Sequence, residues 1–136
     1  MPLKISTSTQ EPVYTDIDPL FTRNPKNSDV VLTKDTKAIK VAIQNLLSTA
    51  FGERLFQPQI GASLRPLLFE PVDSITAFEI RDRILETIRK NEPRVSNIIV
   101  DVVSNPDSND YQVAVEYTIQ SVGAVDRVTT LLERVR

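Results

Sequence analysis

The sequence predicts an α+β fold: two main helices packed on a small, mostly antiparallel sheet of about three strands, with an extended N-terminal arm. Three observations predict it. Residues 35–51 and 75–91 carry apolar side chains at steps of three and four. Residues 95–121 switch to a β-branched run followed by strict alternation. The first thirty residues are punctuated by Pro2, Pro12, Pro19 and Pro25. A chain of 136 residues can bury one real core, so the reading divides it into an arm, 1–30, and one domain, 31–136.

Each element has its own signal. Within the arm, Tyr14, Ile17, Leu20 and Phe21 are apolar enough to dock on the domain or on a partner, with a frayed terminus as the alternative. The first helix places Ile39, Ile43, Leu46, Leu47 and Ala50 on one stripe. Thr33 or Asp35 is its expected cap, and Gly52 its left-handed C′ residue. Residues 53–72 are irregular, and Pro66 opens a short helical turn holding Leu64, Leu67, Leu68 and Phe69. The second helix starts at Ile75 or Thr76, where Thr76 and Glu79 fit a capping box. Its expected buried face is Phe78, Ile80, Ile84, Leu85 and Ile88, and Pro93 stops it.

Val95 to Ser104 reads as a strand, Asn105 to Asp110 as a turn, and Tyr111 to Ile119 as a strand with one solvated face. The two make a hairpin. The last segment is ambiguous. Val125, Val128, Leu132 and Val135 suit a helical stripe, whereas Val128-Thr129-Thr130 after Gly123 suits a third strand.

Composition excludes several chemistries. Hydrophobic residues make up 40% and charged residues 25%, the balance of an ordinary soluble chain. A net charge of −2 and a pI near 5.2 give the whole chain no electrostatic footprint for nucleic acid. There is no cysteine, hence no disulfide and no thiolate, and no histidine, the commonest general base at neutral pH. Met1 to Gln10 lack the apolar run of a signal peptide, and no segment approaches the ~20 apolar residues of a membrane span. The expectation is a soluble, intracellularly made protein with no nucleic-acid or membrane partner, no metal and no cofactor.

Carboxylates remain. A muramidase needs one carboxyl kept protonated and another ionised at a fixed separation. Glu53, Glu70 and Glu92 sit in irregular or turn positions, but each has a simpler reading: Glu53 can pair with Arg54 or a backbone donor, Glu70 precedes a proline, and Glu92 is flanked by Pro93 and Arg94. Ser63 has no identifiable base, Gly52 and Gly61 lack phosphate-loop spacing, and Asp107 to Asp110 lacks calcium-loop spacing. No catalytic residue is assigned.

A more specific signal lies between the helices. Phe51-Gly-Glu-Arg-Leu-Phe-Gln-Pro-Gln-Ile-Gly-Ala-Ser-Leu-Arg-Pro-Leu-Leu-Phe-Glu-Pro71 resembles the signature of the gene-product-25-like, or W-like, baseplate wedge family of contractile phage tails and related injection systems. Asn91-Glu-Pro-Arg-Val95 is similar to that family's Glu-Pro-Arg motif, and Tyr14-Thr-Asp-Ile-Asp18 to its aromatic and acidic N-terminal segment. The resemblance implies a structural, non-enzymatic baseplate subunit of the virion, assembled in the host cytoplasm. It implies docking on the wedge core bundle through Glu92, Pro93 and Arg94. It also implies a sheath-like sheet that initiates sheath assembly by strand addition, with Val125, Arg127, Thr129 and Leu131 as contacts. The expected partners are baseplate wedge proteins and the tail sheath protein, with tail tube or hub proteins as further neighbours. On this reading the last segment is a strand and Arg94→Ala leaves the isolated fold nearly intact. The Glu92-Pro93-Arg94 turn is alternatively a helix stop with an internal salt bridge, and both readings hold if Arg94 locks the motif while Glu92 presents to the partner. A carboxylate-dependent muramidase acting on cell wall is the alternative function.

Overall fold

The helix and strand signals resolve into an α+β architecture in the computed structural model, which describes residues 14–134. The expected arm before residue 14, and Val135, lie outside the described residues. The element order is β1 (Thr15–Ile17), β2 (Leu32–Lys34), α1 (Asp35–Ser48), a 3-10 turn (Arg65–Phe69), α2 (Ser74–Asn91), β3 (Val95–Asn105), β4 (Asp110–Ile119) and β5 (Val125–Glu133).

Residues 14–34 are more ordered than an irregular arm. β1 pairs antiparallel with β2, and Arg23 bridges Val30 between them. Tyr14 packs against the core, as expected of an apolar arm residue, but Ile17, Leu20 and Phe21 are exposed. The helix α1 ends earlier than its periodicity suggested, because Thr49 is already extended and closes it as C-cap. Gly52 therefore serves the following turn, at φ +81°, rather than the helix end. Neither expected cap forms: Lys34 is the N-cap without a side-chain bond, and the Thr33 hydroxyl donates instead to the carbonyl of Asp16.

The 3-10 turn has Pro66 at its start as expected, since proline lacks the donor that a first turn cannot use. The capping box of α2 does not form either. The helix begins one to two residues earlier, and Asp73 is the N-cap, its Oδ1 accepting the N–H of Thr76 at 2.8 Å. Thr76 itself lies inside the helix and is buried. Phe78 departs from the expected buried face. Ile80, Ile84 and Ile88 are fully buried, while Phe78 is 57% exposed with the Arg81 guanidinium over its ring.

The last segment is a strand. β3, β4 and β5 form one antiparallel sheet with β4 in the middle. Period-two alternation sends Tyr111, Val113, Val115, Tyr117 and Ile119 of β4 under the helices. Val100 of β3 and Val128 of β5 flank Val115 on that face. Ile39, Ile43 and Leu47 of α1 and Ile80, Ile84 and Ile88 of α2 complete one continuous core. A bulge between Ser96 and Ile99, with Asn97 at φ +48°, resets the face of β3 after its first residues. No described helix is long and apolar enough to cross a membrane.

The cap of α2 gives a test with a pH signature. The N–H of Thr76 holds the Asp73 carboxyl below its ordinary value. Its folded value therefore lies below the unfolded one, so the stabilisation is present above the unfolded value and is lost as the pH falls through the folded one. Asp73→Ala should lower the unfolding temperature at pH 7, Asp73→Asn should retain most of it, and the wild-type advantage should fade below about pH 4. Thermal melts followed by circular dichroism across pH 2–7 check this.

Candidate functional site

The end of α2 is built around one buried carboxylate. Glu92 is the C-cap of the helix, its N–H donating to Ile88 at 2.9 Å, and it is only 4% exposed. Pro93 turns the chain outward and is exposed. Arg94 then folds back two residues. Its Nε and one terminal nitrogen donate to the two oxygens of Glu92, both at 2.5 Å, in a planar fork. That hydrogen bond, ahead of every other influence, holds the Arg94 guanidinium above its ordinary value. The Arg94 carbonyl accepts the N–H of Gln120, which ties the turn to the end of β4.

The same guanidinium lies 5.3 Å from the centroid of Tyr14, a cation–π contact that reaches the N-terminal hairpin. Tyr14 is bound a second time, where its N–H donates to Asp35 Oδ1 at 3.1 Å and its carbonyl accepts the Asp35 N–H at 2.7 Å. On the other side stands Tyr117, fully buried, its hydroxyl donating to Asp126 Oδ2 at 3.3 Å. Burial first, and the Asp126 and Glu92 charges after it, push that phenol far above its usual value.

The second feature is the edge of β5, which has no further strand beside it among the described residues. The Arg134 N–H donates to Asn109, and the Ala124 carbonyl accepts from Ile119. Both even-numbered groups point to β4, and the unbroken register carries that alternation along the strand. The odd-numbered residues therefore turn their N–H and C=O groups outward. Arg127 confirms the direction, because its N–H is bonded by Asp126 Oδ1 rather than by β4. Thus Val125, Arg127, Thr129 and Leu131 share one exposed face and one outward backbone row. Among them only Arg127 has its N–H taken by a side chain.

The structure keeps the three candidate glutamates apart in role. Glu53 Oε2 accepts the N–H of Ala50 at 2.9 Å, Glu70 is exposed at the end of the 3-10 turn, and Glu92 is clamped by Arg94. A groove of about 610 Å³ between α2 and β3 is lined by none of them. Among the described residues no cluster of three or more potential ligands could hold a metal ion. Asp126 was not legible as part of either feature, because its place opposite Tyr117 depends on a register that only the folded sheet fixes.

The clamped turn and the edge of β5 are the two features that the fold sets at its surface. The comparisons with known proteins give the family. The baseplate wedge protein gp25 family matches residues 33–124. The chain is 30% identical to baseplate wedge protein gp25 of Enterobacteria phage T4 over 116 residues, covering 85% of this chain and 86% of that one. The chain belongs to the gp25 baseplate wedge protein family. Two solved structures share its fold. One is a Geobacter sulfurreducens protein carrying the name tail lysozyme, with a TM-score of 0.68, 22% identity, 78% of this chain and 96% of that chain covered. The other is a chain of the anti-feeding prophage baseplate, with a TM-score of 0.57, 19% identity, 90% and 87% covered.

The clamp alters what a substitution at Arg94 does. Removing the guanidinium leaves Glu92 buried and unpaired, so Arg94→Ala does not leave the isolated fold nearly intact. The expected loss is on the order of 2–4 kcal/mol, somewhat below a fully buried pair because the Arg94 side chain is 28% exposed. Urea unfolding of the isolated chain at pH 7 measures it, and a midpoint equal to wild type would contradict the clamp.

Proposed function

We propose that this chain is a structural subunit of a contractile-tail baseplate wedge, resident in the virion and assembled in the host cytoplasm, which docks on the wedge core and initiates the tail sheath. The observation that supports sheath initiation is the outward row of β5. An edge strand exposes alternating donors and acceptors, and an extended arm from a sheath subunit satisfies them as another strand would. With the Arg127 N–H held by Asp126, the donors open to such an arm are those of Val125, Thr129 and Leu131. Side chains at Val125, Arg127, Thr129 and Leu131 flank the arm on the solvent face.

For the wedge core, the docking group is the Glu92-Pro93-Arg94 turn. Glu92 does not face outward; it fixes Arg94, and the exposed ring of Pro93 and the remaining guanidinium N–H groups are what a partner carboxylate or carbonyl meets. Tail tube and hub proteins are further neighbours on this reading.

The muramidase alternative has less support. Its candidates are dispersed over a loop, a 3-10 turn end and a buried clamp, and no two of them line the groove together. The likeness to the Geobacter protein is one of fold.

Proline scanning of β5 tests the sheath reading with an internal control. Thr129→Pro and Leu131→Pro delete an N–H that points away from β4, so the isolated chain should still fold, with reduced assembly of sheath on baseplates. Thr130→Pro deletes a ladder bond to Val113 and should unfold the sheet, costing about 3 kcal/mol or more. Electron microscopy of tails from cells carrying each variant reads the outcome. Sheaths of wild-type number on Leu131→Pro baseplates would sink the strand-addition reading.

A further inference from the structure

The signature loop between the helices is not used by either feature described so far, yet it holds the two most exposed large apolar side chains among the described residues. Leu55 is 86% exposed and Phe56 98%, with Phe51 half exposed beside them. The loop is tightly bonded. Gly52 donates to Pro58, Gln57 to Arg54, Ile60 to Gln57, and Glu53 Oε2 caps the Ala50 N–H. Beneath it Gly61, at φ +137°, lies so close to α1 that a Cβ there would stand 2.4 Å from the Thr49 carbonyl oxygen. Phe56 itself adopts φ +69°, a left-handed conformation unfavourable for a bulky side chain. Backbone strain and solvent exposure of a large ring are both costs, and nothing among the described residues offsets them.

We infer that Leu55 and Phe56 form a preorganised anchor that inserts into an apolar socket on another protein of the baseplate, one whose rim carries a carboxylate opposite Arg54. This rests on the baseplate reading and adds a third contact to it. The chemistry of the socket follows from charge. Arg54 adjoins the tip and has no acidic partner among the described residues, while Glu53 is drawn inward to the backbone. The tip is therefore apolar with a positive rim, on a chain whose net charge is −2. Rigid aromatic anchors beside arginine are the residues that dominate binding energy at protein interfaces. A second copy is a poorer match. The groove of about 610 Å³ beside Phe78 and Ile99 balances Asp101 and Glu116 with Arg81 and Arg127 on its own rim. A lipid surface is poorer still, because one arginine on an acidic chain gives little attraction to anionic headgroups.

The test uses Phe56→Asn, which removes the ring but tolerates the left-handed backbone, and Arg54→Glu, which reverses the rim. Full-length chains are co-expressed with the wedge proteins of their own genome, and the fraction entering assembled wedges is read after gradient sedimentation. The isolated Phe56→Asn chain should unfold at or above the wild-type temperature, while its incorporation falls roughly tenfold or more. Arg54→Glu should fall likewise, and Arg54→Lys should recover part of it. A benzoylphenylalanine placed at 56 should cross-link to an apolar stretch of another wedge or tail protein that also carries Asp or Glu. Wild-type incorporation of Phe56→Asn overturns this inference alone, as does a cross-link to a second copy or binding of the pure chain to anionic vesicles. Absence of the wild-type chain from wedges overturns this inference and the baseplate reading together.

Discussion

Glu92 carries a carboxylate almost out of water at the point where α2, β3, the end of β4 and the N-terminal hairpin meet. An unpaired charge there would cost several kcal/mol, so the local structure is organised around its neutralisation. The planar fork of Arg94 meets both oxygens, which fixes the guanidinium plane, and that plane is what Tyr14 stacks on. Pro93 sets the backbone so that residues 92 and 94 face each other across a single turn. Lysine could supply the charge but not the fork. The turn proposed to face a partner thus also closes its own domain, and on that reading a substitution within it disturbs folding and docking together.

The sheet extends that logic. Because β4 is central and fully paired, its side chains hold the core while the strands on either side carry the exposed edges. On β5 the face alternation and the backbone alternation coincide. The residues whose side chains face solvent are the ones whose N–H and C=O groups point away from β4. Asp126 reaches across this division, taking the Tyr117 hydroxyl on the core side and the Arg127 N–H on the edge side. It occupies one outward donor, that of Arg127, and leaves those of Val125, Thr129 and Leu131 open.

Much of this was legible in the sequence, for identifiable reasons. Helix stripes such as Ile39-Ile43-Leu47 and Ile80-Ile84-Ile88 depend only on local periodicity, and so does the alternation of Tyr111 to Ile119. What failed depended on competition between neighbours. Thr76-x-x-Glu79 satisfies a capping pattern, but Asp73 three residues earlier reaches the Thr76 N–H and starts the helix sooner. Phe78 sits on the stripe by spacing, yet lies near the free edge of β3 where no further layer covers it. The strand at Val125 to Glu133 could not be told from a helix by its stripe, and pairing with β4 decided it. The internal salt bridge of Glu92 with Arg94 was legible as one reading of the turn, but the burial of Glu92 was not, because solvent exposure of a turn residue is set by what folds over it, here Arg94.

The most direct measurement replaces both members of the clamp at once. Glu92→Leu/Arg94→Met removes the buried charge together with its partner, and such exchanges are often neutral or stabilising. Unfolding of the isolated double variant and its incorporation into wedges assembled from the other proteins of its genome would be measured side by side. The account predicts a stability near wild type and well above Arg94→Ala, with incorporation still lost because the guanidinium is absent from the docking surface. Recovery of incorporation along with stability would contradict it, and would make the Glu-Pro-Arg turn a fastening of the domain alone.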